Sequence, residues 1–133
     1  MTNPQWGKRA TDEPIYEGVR AADVEEFEAI EDWVKFQIQI IFDAMDWPQL
    51  IVFNYDGSDR VVAPFVVGVS RDGNPLLRGY QLEGVSRSGK GPGWRVFQVR
   101  KMNDLDNFQD YFYKEDFDFD QFYPWTYKVI KML

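Results

Sequence analysis

Positive side chains concentrate in the middle of the chain, around a Ser/Gly-rich loop. Arg60, Arg78 and Arg95 carry forks of N–H donors that match phosphate oxygens, and Tyr80 has a ring that stacks on a nucleobase. The loop VSRSGKGPG adds short donors and a mobile charge: Ser86, Ser88 and Lys90. These residue types predict a site for an anionic ligand, although the same arginines could instead pair with acids of the chain itself.

Several kinds of chemistry are excluded by composition. The chain has no cysteine and no histidine, which removes thiolate catalysis, the usual zinc sites and Ser–His or Cys–His pairs. The loop lacks the Gly-x4-Gly-Lys-Ser/Thr spacing of a nucleotide hydrolase. Asp116, Asp118 and Asp120 alternate with phenylalanines and look like a surface row rather than a calcium loop. We therefore predict a protein that is not an enzyme and has no cofactor or metal.

Charge is distributed in blocks along the 133 residues, whose net charge is −7. Residues 60–101 hold eight Lys/Arg and two Asp/Glu, whereas residues 102–121 hold one and seven. Either the basic block receives an anion or it pairs with its acidic flanks, and surface pairs of that kind are individually weak. No apolar run is long enough to span a membrane, and the first residues lack the apolar centre of a secretory signal. A cytoplasmic location is the resulting expectation.

The chain is expected to form one domain, residues 23–133, after a polar arm at 1–22. Residues 23–46 read as one amphipathic helix, since Phe27, Ile30, Val34 and Ile38 recur at spacings of three and four. Asp23 and Glu26 have the spacing of a capping box. Three further aromatic residues widen its apolar face: Trp33, Phe36 and Phe42.

Short strands follow the helix. We expect them at 49–55, 60–70, 76–84, 94–102 and 123–133, with Pro64 marking an edge position or a bulge. The predicted fold class is α+β, with the N-terminal helix packed on a small, strongly bent antiparallel sheet or barrel of the Sm/SH3-like kind.

The strand series at 49–105 resembles the WYL domain, a small β-barrel of bacterial regulators and of proteins linked to phage defence. Residues 60–64 (RVVAP) resemble the family's Arg-x-Val-x-Pro, and 95–102 (RVFQVRKM) resemble its closing Arg-x-Phe-x-Leu-x-Arg-Ile. Residues 77–82 (LRGYQL) lie where its Trp-Tyr-Leu strand falls, with Gly79 in place of Trp and Gln81 in place of Leu. Such domains usually follow a winged helix-turn-helix, for which this chain has no room.

The resemblance implies a regulatory, ligand-sensing module. Basic and polar side chains of WYL domains are thought to hold a nucleotide or a single-stranded nucleic acid, and the matching residues here are Arg60, Arg78, Tyr80 and Arg95. Affinity for such a ligand would fall with salt.

The C-terminal extension, 106–133, supports an alternative. Aromatic residues interleave with acids in 104–125, and we expect a helix near 104–114 that packs them on the barrel. The segment could also cover the basic surface until a ligand displaces it. As a protein-interaction or oligomerisation module, the chain would bind a partner or a second copy through the helix and this tail. That complex would resist salt and break when Trp33 or Phe42 is made polar.

Overall fold

A computed structural model describes residues 14–16, 19–21, 24–84, 91–119 and 128–133. The strands are β1 (Pro14–Tyr16), β2 (Val19–Ala21), β3 (Gln49–Tyr55), β4 (Ser58–Val69), β5 (Pro75–Glu83), β6 (Gly93–Gln98), β7 (Asn103–Tyr111) and β8 (Lys128–Met132). The helices are α1 (Val24–Glu28) and α2 (Asp32–Asp46), and 3-10 turns occupy Val99–Lys101 and Lys114–Asp116.

The predicted single helix is divided in two. The backbone tightens where the Ile30 N–H bonds the Phe27 carbonyl, and Glu31 then adopts an extended conformation as the residue that precedes α2. On α2, the residues at the predicted spacing are buried: Val34, Ile38, Ile41 and Met45. Phe42 is buried with them, whereas Trp33 and Phe36 face outward and do not pack on the sheet. Asp23 lies outside the described residues.

β4 is the centre of the sheet. One of its edges pairs with β5, which pairs with β6, while the other pairs with β3 along its first half and with β8 along its second. β7 lies outside β3, and β2, followed by β1, lies outside β8. All described pairings are antiparallel except that of β2 with β8. Two short strands of the predicted polar arm therefore belong to the sheet.

The α+β class, with a helix packed on an antiparallel sheet, is confirmed, but the sheet does not close into a barrel. No described pairing joins β6 to β7, because the 3-10 turn between them carries the chain across the end of the sheet. Pro64 lies in the central strand and not at an edge. Its bulge is confirmed, since Pro64 pairs with Gly79 and Val66 with Arg78, which leaves Phe65 as an extra residue.

The two faces of the sheet are covered differently. α2 covers one face, here called the helix face, whose core includes Ile51, Val62, Leu77 and Phe97. The other face, here called the second face, centres on Phe65 and is covered by residues 112–119 through three rings: Phe112, Phe117 and Phe119. The helix predicted at 104–114 is wrong, since 103–111 forms β7. The C-terminal strand is confirmed as β8.

Candidate functional site

The predicted ligand-binding arginines do not share a surface. Side chains alternate between the faces of a strand, so Gln81 on β5 points to the opposite side from Arg78 and Tyr80. Arg60 bonds Gln81 on the helix face, whereas Arg78 and Tyr80 contact the ring of Trp94 on the second face. Arg60 and Arg78 therefore lie on opposite faces of the sheet.

Arg60 is buried, with 3% of its surface exposed. Its guanidinium donates to the Gln81 Oε1 at 3.0 Å, the Tyr55 carbonyl at 2.9 Å and the Ser58 Oγ at 2.8 Å. It also lies 5.6 Å from the centre of the Tyr55 ring. These three acceptors are neutral. The buried guanidinium is therefore satisfied by hydrogen bonds, and not by an acidic residue of the chain as the alternative in the sequence analysis predicted.

Arg78 is equally covered, at 4% exposed. Its guanidinium carbon lies 4.8 Å from the centre of the Trp94 ring and 5.1 Å from that of Phe119. Tyr80 packs edge-on against Trp94, and its ring is tilted against that of Phe117. The rings of Phe117 and Phe119, in the acidic C-terminal segment, thus cover these two predicted ligand-binding residues.

Arg95, the other predicted arginine, lies near the start of β6. Arg95 donates to the carbonyl oxygens of Trp94, at 2.9 Å, and of Gly91. Ser86, Ser88 and Lys90 lie outside the described residues. Two cavities adjoin the predicted site: one of about 340 Å³ beside Arg60, whose lining includes three acids, and one of about 260 Å³ beneath the 112–119 segment. An acidic lining does not suit an anion.

Large exposed aromatic side chains form a different surface, which the sequence did not predict. Trp47, Tyr111 and Tyr113 are 73%, 67% and 74% exposed. Gln49 pairs with Tyr111, and the Phe112 N–H bonds the Pro48 carbonyl at 3.0 Å, so the same register continues to Trp47 and Tyr113. Since Phe112 points to the second face, these three rings share the other side. We name them the tri-aromatic cluster.

A second exposed pair lies on α2. Trp33 and Phe36, named the helix patch, are 54% and 71% exposed and are three residues apart, which places them on one side of the helix. The Gln37 side chain, next to Trp33 around the helix, donates to the Val99 carbonyl, just before β7. Phe42, on the opposite flank, lies 5.4 Å from the Lys131 ammonium of β8. Trp33 therefore lies on the side of α2 that faces the Val99–Lys101 turn, between β6 and β7.

Two side chains have perturbed acidity. Hydrogen bonds from the Arg100 guanidinium lower the pKa of Glu31, an exposed carboxylate at the start of α2. Burial raises the pKa of Tyr55, whose hydroxyl oxygen accepts the Gln98 N–H. The Glu31 contact joins the start of α2 to the Val99–Lys101 turn, and the Tyr55 contact joins β3 to the end of β6. Both contacts stabilise the fold. Among the described residues, no group of three or more Asp or Glu side chains could hold a metal ion.

Comparisons with known proteins found no matching family model, no matching curated protein and no matching solved structure. Within the described part of the chain, no helix has the length and apolar character needed to cross a membrane.

Proposed function

We propose that this protein is a non-enzymatic interaction module that binds another protein chain through the surface beside β7. The observation that carries the proposal is the exposure of five large aromatic side chains in two groups, the tri-aromatic cluster and the helix patch. Scattered exposed apolar residues are ordinary, but contiguous ones mark interaction surfaces. Tryptophan and tyrosine are also the residues that most often dominate binding at interfaces.

The two groups lie at opposite ends of one edge of the molecule. α2 begins near the Val99–Lys101 turn, where Gln37 bonds the Val99 carbonyl, and it ends at Asp46, next to Trp47. β7 runs in the same direction, from Asn103 beside that turn to Tyr111, which belongs to the tri-aromatic cluster. A partner that lies along this edge would therefore contact both groups.

β7 offers a partner its side chains, because its outer edge is not regular enough to pair with another strand. Its register with β3 shifts at both ends, and Asp104 has a φ of 54°. Bulges and charges of this kind protect an outer strand from pairing with another chain. Recognition through the aromatic side chains, and not through addition of a strand, is the mode that this geometry favours.

The test compares the native size of the tagged full-length chain in its source cells. We expect the wild type to migrate above its 15.7 kDa monomer mass, and Trp33→Ser/Phe36→Ser or Trp47→Ser/Tyr113→Ser to migrate closer to it. Gln39→Ser, which changes an exposed polar residue of the same helix, is the matched control. A complex that both double variants retain would contradict the proposal.

A second candidate is the regulatory binding of a nucleotide or single-stranded nucleic acid, as the WYL resemblance implies. Arg78 beside the rings of Trp94 and Phe119 favours it, because a base would take the place of the Phe119 ring against Arg78 and Trp94 once the 112–119 segment moves aside. Phe119→Ala should then bind adenosine monophosphate or a ten-residue oligothymidine more tightly than the wild type does, while Phe108→Ala should not. Absence of binding by Phe119→Ala would remove this candidate.

A further inference from the structure

The surroundings of the tri-aromatic cluster are acidic. Exposed Asp43 lies one turn of α2 before Trp47, and Asp46 directly precedes Trp47, whereas Asp110 alternates with Tyr111 and points to the second face. Lys131 pairs with Asp46 and offsets one of these charges. Lys114 follows the cluster but is succeeded by Glu115 and Asp116. Negative charge therefore predominates around the three rings.

The end of α2 adds to this negative field. The last carbonyl groups of a helix carry a partial negative charge, which basic residues in the final turn usually balance. The last turn of α2 has no basic residue, and Trp47 itself is the residue that caps it. A positive group placed against the cluster would thus meet ring faces, carboxylates and the helix end together.

Arginine is the side chain that satisfies all three. Its planar guanidinium stacks on the faces of tryptophan and tyrosine while its N–H groups remain available to a carboxylate. Lysine supplies the charge without the planar stacking. A second copy of this chain would bring its own acidic cluster, and like charges would oppose that contact.

We propose that the tri-aromatic cluster binds arginine side chains of a basic partner segment, an inference that rests on the proposed function. The cluster supplies the rings, and Asp43 and the end of α2 supply the opposing charge. Affinity then falls as salt rises, because exposed charges are screened. This departs from the salt-resistant complex expected from the sequence.

The experiment titrates the ¹⁵N-labelled full-length protein with an end-capped octapeptide of alternating arginine and glycine. Lysine–glycine and glutamate–glycine octapeptides of the same length are the comparison probes. We expect the Trp47 indole signal and the backbone amide signals of 110–113 to shift saturably with the arginine peptide. The lysine peptide should bind more weakly, and the glutamate peptide should cause no shift. The Trp47 indole signal is assigned with Trp47→Phe.

Two variants test the residues themselves. Tyr113→Ala should weaken binding of the arginine peptide about three- to fivefold, as expected for an exposed cation–ring contact, and Asp43→Asn should also weaken it. Asp72→Asn, in the exposed turn between β4 and β5, is the charge-matched control and should leave the affinity unchanged.

The inference is overturned if the arginine and lysine peptides bind equally, if shifts spread over the surface without saturation, or if Asp72→Asn weakens binding as much as Asp43→Asn. Such a failure is distinguishable from failure of the proposed function. In that case the native complex would still depend on the exposed aromatic residues, whereas loss of the proposed function requires a complex that is insensitive to both double variants.

Discussion

Replacement of Arg60 by alanine distinguishes a structural arginine from a ligand-binding one. The change removes three hydrogen bonds from a charged donor, each worth about 1.5–3 kcal/mol when its partner stays buried. The Ser58 hydroxyl and the Tyr55 carbonyl are only partly buried, so water replaces much of what they lose. Gln81 is completely buried, and its orphaned oxygen costs about 1–3 kcal/mol.

The sum, with the lost packing of the arginine stem, is a decrease of about 3 kcal/mol in the free energy of unfolding. Urea unfolding followed by tryptophan fluorescence measures it. Lys101→Ala, an exposed cation, is the control and should stay within about 0.5 kcal/mol of the wild type. Arg60→Met combined with Gln81→Leu should be more stable than Arg60→Ala, because neither buried partner is then left alone.

A loss below about 0.5 kcal/mol for Arg60→Ala would refute this reasoning. So would a double variant less stable than the single one. The first result would mean that the guanidinium contributes little to the fold, and the ligand-binding role predicted from the sequence would regain its support.

Three further predictions concern packing and pH. Gly79→Ala should destabilise the fold by about 1–3 kcal/mol in thermal unfolding, since its Cβ would lie 2.6 Å from a backbone oxygen of β4, while Gly91→Ala, in open space, should be nearly neutral. Phe65→Ala should cost about 3–5 kcal/mol in urea unfolding, because Phe65 contacts four other rings and is buried, whereas exposed Phe36→Ala should cost under about 0.5 kcal/mol. The pKa of Glu31 is lower in the folded state, so its contribution to stability is present above the ordinary carboxylate pKa and is lost as pH falls through the folded value. Its carboxyl NMR titration should have a lowered midpoint; an ordinary midpoint would contradict the ion pair.

The local pattern of the sequence was enough to predict several elements. The buried stripe of α2 and the strands β3 to β6 follow from spacings of three to four and of two. The strand predicted at 94–102 is too long, since β6 ends at Gln98 and Val99–Lys101 forms a 3-10 turn. The break before α2 has no such signal. It depends on Glu31, which is extended and bonds Arg100 from the far end of the sheet.

β7 and the faces of the arginines required non-local information. Phe108, Tyr111 and Phe112 have helical spacing, and only pairing with β3 selects the strand. The relative faces of Arg60 and Arg78 depend on how β4 pairs with β5, a register that includes the bulge at Phe65. The tri-aromatic cluster was missed for the same reason. Trp47 lies 64 residues before Tyr111 and 66 before Tyr113, and a pattern search along the chain does not join residues so far apart.

The most direct measurement of the central claim, that a partner binds beside β7, is site-specific photo-crosslinking in the source cells. Benzoylphenylalanine replaces Phe36 or Tyr113 in the full-length chain, and replaces Asp72 as the control. We expect one discrete crosslinked product, of the same mass from positions 36 and 113, and none from position 72. Equal crosslinking from all three positions, or none from 36 and 113, would contradict the account.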